Sequence, residues 1–125
     1  MPDNLVLQPF IEKMYLALLS SDLVVSRAGS LSLSEICASS LPSILIPYPY
    51  ASCDHQKKNA MNFVENHAAI MIEDKDCNSE TLFEAVDSLM NDKKLLSDLS
   101  YNAYKRAKLN ASIEIVKQIN KAVEK

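Results

Sequence analysis

The sequence predicts an α/β fold, a parallel sheet with flanking helices, and three observations carry that prediction. Short apolar runs at Leu23-Val24-Val25, Ser43-Ile44-Leu45-Ile46-Pro47 and Ala68-Ala69-Ile70-Met71-Ile72 alternate with longer stretches of helical periodicity. The second of these runs is continuously apolar after its serine, as a strand covered on both faces would be. Gly29, the only glycine among 125 residues, falls where the first of them turns into a helix.

The elements follow in order. Leu5-Val6-Leu7 reads as a first short strand. Ile11 to Ser20 reads as a helix, with Ile11, Met14, Tyr15, Leu18 and Leu19 spaced by threes and fours on one face. Leu23 to Val25 is the next strand, followed by a helix that starts between Ser30 and Ser32. That helix ends near Ser39-Ser40, because Pro42 cannot continue it. After the strand Ser43–Pro47, two prolines and small polar residues make Tyr48 to Asp54 a loop. Asp54 is suited to cap a helix running to about Glu65 or Asn66. Ala68–Ile72 is a fourth strand, and Glu73 to Asn78 is a charged loop. Ser79, Leu82, Val86, Leu89 and Met90 outline an amphipathic helix that Asn91-Asp92 breaks. Leu95–Leu109 and Ile113–Val123 read as two more helices. At this length the whole reads as a single domain, residues 1–125.

Bulk properties exclude several functions. A net charge of −3 with no dominant basic stripe argues against nucleic acid as a partner. No apolar run approaches the ~20 residues of a membrane span. Met1-Pro2-Asp3-Asn4 lacks the basic start of a signal peptide, so a cytoplasmic location is expected. Cys37, Cys53 and Cys77 are widely spaced, odd in number and form no ligand pattern with His55 or His67. They read as reduced thiols, with no metal site. One glycine also rules out the glycine-rich phosphate loops, against a usual share of about 7%.

The chemistry concentrates in Ser26-Arg27-Ala28-Gly29-Ser30-Leu31-Ser32-Leu33-Ser34-Glu35. A strand turning sharply into a helix often needs a residue free of Cβ restrictions, and Gly29 is the candidate. Ser32 with Glu35 three residues on matches a capping box. The same residues also suit ligand binding, since a helix N-terminus at the carboxyl end of a parallel strand is an anion site. His55 and Gln56 sit in the first turn of another helix on the same rim. Tyr48 and Tyr50 either contact a ligand there or pack the loop. Arg27 either serves the site or forms a salt bridge that supports the loop.

These residues resemble a known family. Asp22 to Glu35, then Leu41-Pro42, Ile46-Pro47-Tyr48-Pro49, Asp54-His55-Gln56 and Asn59-Ala60, look like the carboxy-terminal half of the MurG glycosyltransferases. The pattern covers roughly residues 8 to 73. The resemblance implies the GT-B architecture, of which this chain would be a partial Rossmann-like sheet, the donor-binding part, with the amino-terminal acceptor domain absent. It implies transfer of N-acetylglucosamine from UDP-N-acetylglucosamine to a lipid-linked muramoyl-pentapeptide in peptidoglycan synthesis, at the cytoplasmic face of the inner membrane. By position, Ile11 matches the backbone that meets uracil. Ser30, Leu31 and Ser32 match the helix start facing the diphosphate. Glu35 matches the carboxylate on the ribose hydroxyls, and His55 and Gln56 match the pair near the N-acetylglucosamine. No catalytic residue, metal or cofactor is implied within the chain.

The partners implied are UDP-N-acetylglucosamine and either a complementary amino-terminal GT-B domain or a second copy of the chain. Membrane contact would come through the missing domain alone. The chain by itself reads as incomplete for catalysis. The competing readings are a non-catalytic scaffold subunit or remnant that needs a partner chain, and a GT-B enzyme using another UDP-sugar. The His-Gln pair disfavours the latter.

Overall fold

The computed structural model describes residues 14–49 and 55–107. In chain order its elements are α1 (Met14–Leu19), β1 (Val24–Ser26), α2 (Ser30–Ala38), β2 (Ser43–Leu45), α3 (His55–Glu65), β3 (Ile70–Met71), a 3-10 turn (Asp74–Asp76), α4 (Ser79–Met90) and α5 (residues 93–107). The expected strand at Leu5–Leu7, the first residues of the expected helix from Ile11, the Asp54 cap and the helix Ile113–Val123 lie outside the described residues.

The three strands form a parallel sheet in the order β1-β2-β3. Val24, Val25 and Ser26 stand opposite Ser43, Ile44 and Leu45, and Ile44 and Leu45 stand opposite Ile70 and Met71. Strand alternation then sorts side chains between two cores. Leu45, Val24 and Met71 face Leu18, Leu33, Ile36, Cys37, Ala60 and Phe63 from α1, α2 and α3. Ile44, Leu23, Ile70 and Ile72 face Val86 and Leu89 of α4 and Leu96 and Leu99 of α5. Ile44 and Leu45 are fully buried, which is why β2 reads as an unbroken apolar run. Ser43, equally buried, leaves its hydroxyl without a partner among the described residues.

Helix ends follow local chemistry. α4 is capped by Asn78, whose side chain accepts from Thr81 N while Thr81 Oγ1 accepts from Asn78 N, closing a capping box. Asp92 accepts from Leu95 N at the start of α5, which therefore begins earlier than Leu95. α2 and α3 both end in left-handed residues, Ser40 (φ 53°) and His67 (φ 56°). The following amides reach back five residues, Leu41 N to Ile36 O and Ala68 N to Phe63 O. These are the closures that glycine usually serves, made here without one. α5 is tacked over both turns, with Ser100 Oγ donating to Ser40 O and Asn102 Nδ2 to His67 O.

One expected face is corrected. Leu18 is buried, but Leu19, assigned to the same face of α1, is 64% exposed. α1 has only six residues, and its contact with α2 needs a single ridge rather than a wide stripe.

Candidate functional site

The site begins where β1 ends. α2 starts at Ser30, with Gly29 as its N-cap residue and no side chain capping it among the described residues. The expected capping box of Ser32 and Glu35 is therefore not formed. Ser32 already lies inside the helix, where its hydroxyl cannot take the cap position. Gly29 has φ −72° and ψ 150°, ordinary extended backbone, so the turn needs no glycine on conformational grounds. A Cβ there would meet Gln56 Nε2 at 3.8 Å, an ordinary contact. What glycine provides at this point is open backbone in front of the helix.

The first helical bond runs from Leu33 N to Gly29 O at 3.0 Å. The amides of Ser30, Leu31 and Ser32 thus precede the ladder, and the positive end of the α2 dipole meets solvent at the carboxyl rim of the sheet. Leu31 and Glu35 are four residues apart and share a helix face. Leu31 is 75% exposed. Glu35 is half-buried, and its carboxylate has no hydrogen-bond or ion-pair partner among the described residues. Ser30 faces elsewhere. It lines a groove of about 140 Å³ with Ser34, Cys37, Asn59, Phe63 and Arg106. There the Arg106 guanidinium carbon sits 4.7 Å from the Phe63 ring centre. Burial raises the Cys37 thiol pKa, and nearby Arg106 partly offsets that.

Gln56 joins this rim to the next loop. Its Oε1 accepts from Ala28 N at 3.3 Å and from Tyr48 N at 2.8 Å. Both partners are donors, so the amide nitrogen must point the other way, toward Gly29. One turn further along α3, Asn59 Nδ2 donates to Ala28 O at 3.2 Å. Both backbone polar groups of Ala28 are thereby held. His55 is exposed at the first position of α3. Ile11 lies outside the described residues. The structure thus brings Gln56 beside Gly29 at the start of α2, with Leu31 and Ser32 in the first turn of that helix and Glu35 one turn further along it, on the face of Leu31.

Arg27 settles as a salt-bridge residue, its Nη1 lying 2.6 Å from Asp74 Oδ1. Asn59 and Asp74 were not singled out as site residues from sequence. Asn59 carried a signal, since it stands three residues after Gln56 and so on the same helix face. Asp74 carried none, being a partner 47 residues away from Arg27.

A larger cavity, about 300 Å³, lies beside the site at the carboxyl ends of β2 and β3. Tyr48, Lys57, Glu73 and Lys75 are among its walls. Its charges are largely paired with one another: Glu73 meets Lys57 at 3.1 Å and Lys75 at 3.4 Å. Hydrogen bonds from both lysines, Lys57 first, hold the Glu73 carboxyl below the usual carboxylate range. No cluster of metal-ligating side chains occurs among the described residues.

Parallel strands whose carboxyl ends carry an open helix N-terminus define a Rossmann-like domain. The chain belongs to the glycosyltransferase family 28 C-terminal domain family, whose profile matches residues 2–119. It is 39% identical over 118 residues to the UDP-N-acetylglucosamine--N-acetylmuramyl-(pentapeptide) pyrophosphoryl-undecaprenol N-acetylglucosamine transferase of Desulforamulus reducens, covering 94% of this chain and 32% of that protein. A similarly named transferase 2 of Bacillus thuringiensis is 39% identical over 124 residues, covering 99% of this chain and 34% of the relative. The crystal structure of Acinetobacter baumannii MurG superposes with a TM-score of 0.77 at 32% identity, over 91% of this chain and 34% of that one. The chain thus spans about a third of the length of the relatives it matches.

Proposed function

We propose that this chain binds the donor in a glycosyltransferase that moves N-acetylglucosamine from UDP-N-acetylglucosamine to a lipid-linked muramoyl-pentapeptide, the activity its relatives are named for. The observation that carries this reading is an α2 N-terminus without a side-chain cap, followed one turn along the same helix by the Glu35 carboxylate, which has no hydrogen-bond or ion-pair partner among the described residues. A diphosphate fits the amides of Ser30, Leu31 and Ser32, where dipole and N–H groups offset its charge without a lysine. A ribose fits Glu35, which can accept from two vicinal hydroxyls. Gln56 keeps its amide N–H groups for a sugar while its oxygen is occupied by backbone. Ile11 and His55 complete the donor contacts by resemblance.

In this reading the acceptor hydroxyl attacks the anomeric carbon in line as UDP departs. The chain's contribution is orientation of the donor and stabilisation of the leaving diphosphate by preorganised dipoles. The general base, the acceptor site and membrane contact belong to the two-thirds of the relatives that this chain does not match, supplied by the same or a separate polypeptide. The setting is cytoplasmic, and no helix among the described residues is long and apolar enough to cross a membrane.

Calorimetric titration of UDP-N-acetylglucosamine tests this. Removing the charge-assisted ribose bonds in Glu35→Ala costs about 1.5–3 kcal/mol for each bond lost, or at least about 10-fold in affinity. Equal binding by the variant and the wild type would overturn the assignment of Glu35.

A further inference from the structure

One side chain ties the carboxyl ends of all three strands together. Arg27 follows β1 directly. Its Nη1 donates to Asp74 Oδ1 at 2.6 Å and to Ile46 O at 3.3 Å. Its guanidinium carbon lies 5.6 Å from the centre of the Tyr48 ring. Ile46 and Tyr48 lie just beyond β2, and Asp74 lies beyond β3. The residue that follows Arg27 is Ala28, whose N–H donates to Gln56 and whose carbonyl accepts from Asn59. Gln56 also holds the Tyr48 amide. Arg27 and Gln56 thus grip the same two segments, one through the guanidinium and one through the side-chain oxygen.

We infer that Asp74 is a positioning residue for the donor site, acting through Arg27. Its carboxylate sets the guanidinium plane, which fixes the Tyr48 segment against the Ala28 peptide and so aims Gln56 and the open α2 amides. Among the described residues the Asp74 side chain bonds to Arg27 and to none of the donor-site side chains. It is also not interchangeable with its neighbour, because Glu73 is already engaged by Lys57 and Lys75. The pair is half-exposed, with side chains 50% and 37% accessible. Such pairs add little to global stability. Its value here is geometric, and that separates a positioning role from a merely structural one.

This inference rests on the donor reading, and the test keeps the two apart. Asp74→Asn, Arg27→Met and the double variant are compared for amide exchange at Ala28 and Tyr48, affinity for UDP-N-acetylglucosamine, and Tm. Asp74→Asn is expected to speed exchange at both amides and to weaken donor binding about fivefold, the upper end for a pair of this exposure, with Tm nearly unmoved. The double variant is expected to bind no more weakly than Arg27→Met alone, since the two side chains act as a unit. Asp74→Glu should restore most of the affinity. Unchanged exchange at Ala28 and Tyr48 in Asp74→Asn would overturn the inference whether or not the donor binds. Additive losses in the double variant would overturn it too. A wild-type chain that fails to bind the donor overturns the donor reading instead, and the exchange rates still decide the role of Asp74.

Discussion

Gln56 does two things that a pair of substitutions can separate. Its oxygen accepts two backbone amides, and its nitrogen is left facing the open rim. Gln56→Ala removes both functions. Two neutral hydrogen bonds at about 0.5–1.5 kcal/mol each are lost, and the Ala28 amide belongs to a fully buried residue that water cannot readily re-solvate. The expected destabilisation is about 2 kcal/mol, a fall in Tm of roughly 6–10 °C for a chain of this size. Gln56→Glu keeps an acceptor oxygen at the same place and makes the bonds charge-assisted, so stability should stay within about 1 kcal/mol of wild type. It also deletes the N–H donors and places a negative charge beside the α2 N-terminus, where the proposal seats the diphosphate. Donor affinity should then fall at least about tenfold while the fold holds, an effect of about 1.4 kcal/mol or more. Thermal unfolding followed by circular dichroism, with titration of UDP-N-acetylglucosamine, reads both quantities. Wild-type affinity in Gln56→Glu would mean that Gln56 is a structural clasp only. Unchanged stability in Gln56→Ala would refute the clasp itself.

Other expectations concern the scaffold. Ser40→Gly and His67→Gly relieve left-handed strain while leaving the carbonyls that accept from Ser100 and Asn102 intact; each should gain about 1 kcal/mol in urea unfolding. Ser43→Ala removes a buried hydroxyl with no partner among the described residues, so it should be neutral or stabilising by up to about 1 kcal/mol. For Glu73 the sign follows from its lowered pKa. The lysine contacts favour the ionised form, so their contribution is present at neutral pH and disappears as pH falls from the usual carboxylate value, about 4.3, through the depressed one. The Tm difference between wild type and Glu73→Gln should therefore vanish in strong acid.

The α/β class and the central strand were legible because β2 is buried on both faces and shows it as an apolar run. The helices over α2, α3 and α4 were legible from periodicity and from breakers such as Pro42. Glu35 and Gln56 stood out because motif order and spacing carry them. The capping box at Ser32 misled, since the same S-x-x-E spacing occurs inside a helix that starts two residues earlier. Gly29 misled for a related reason: its rarity suggested a dihedral need, whereas the two left-handed positions fall on Ser40 and His67. Asp74 was invisible because an ion pair spanning 47 residues leaves no local pattern.

The most direct measurement is to map UDP-N-acetylglucosamine onto the chain by amide chemical-shift perturbation. The account predicts that the largest changes fall on the backbone of Ser30, Leu31 and Ser32 and on the Gln56 side-chain amide. Changes confined to Lys57, Glu73 and Lys75 around the neighbouring cavity, or none at a saturating donor concentration, would contradict it.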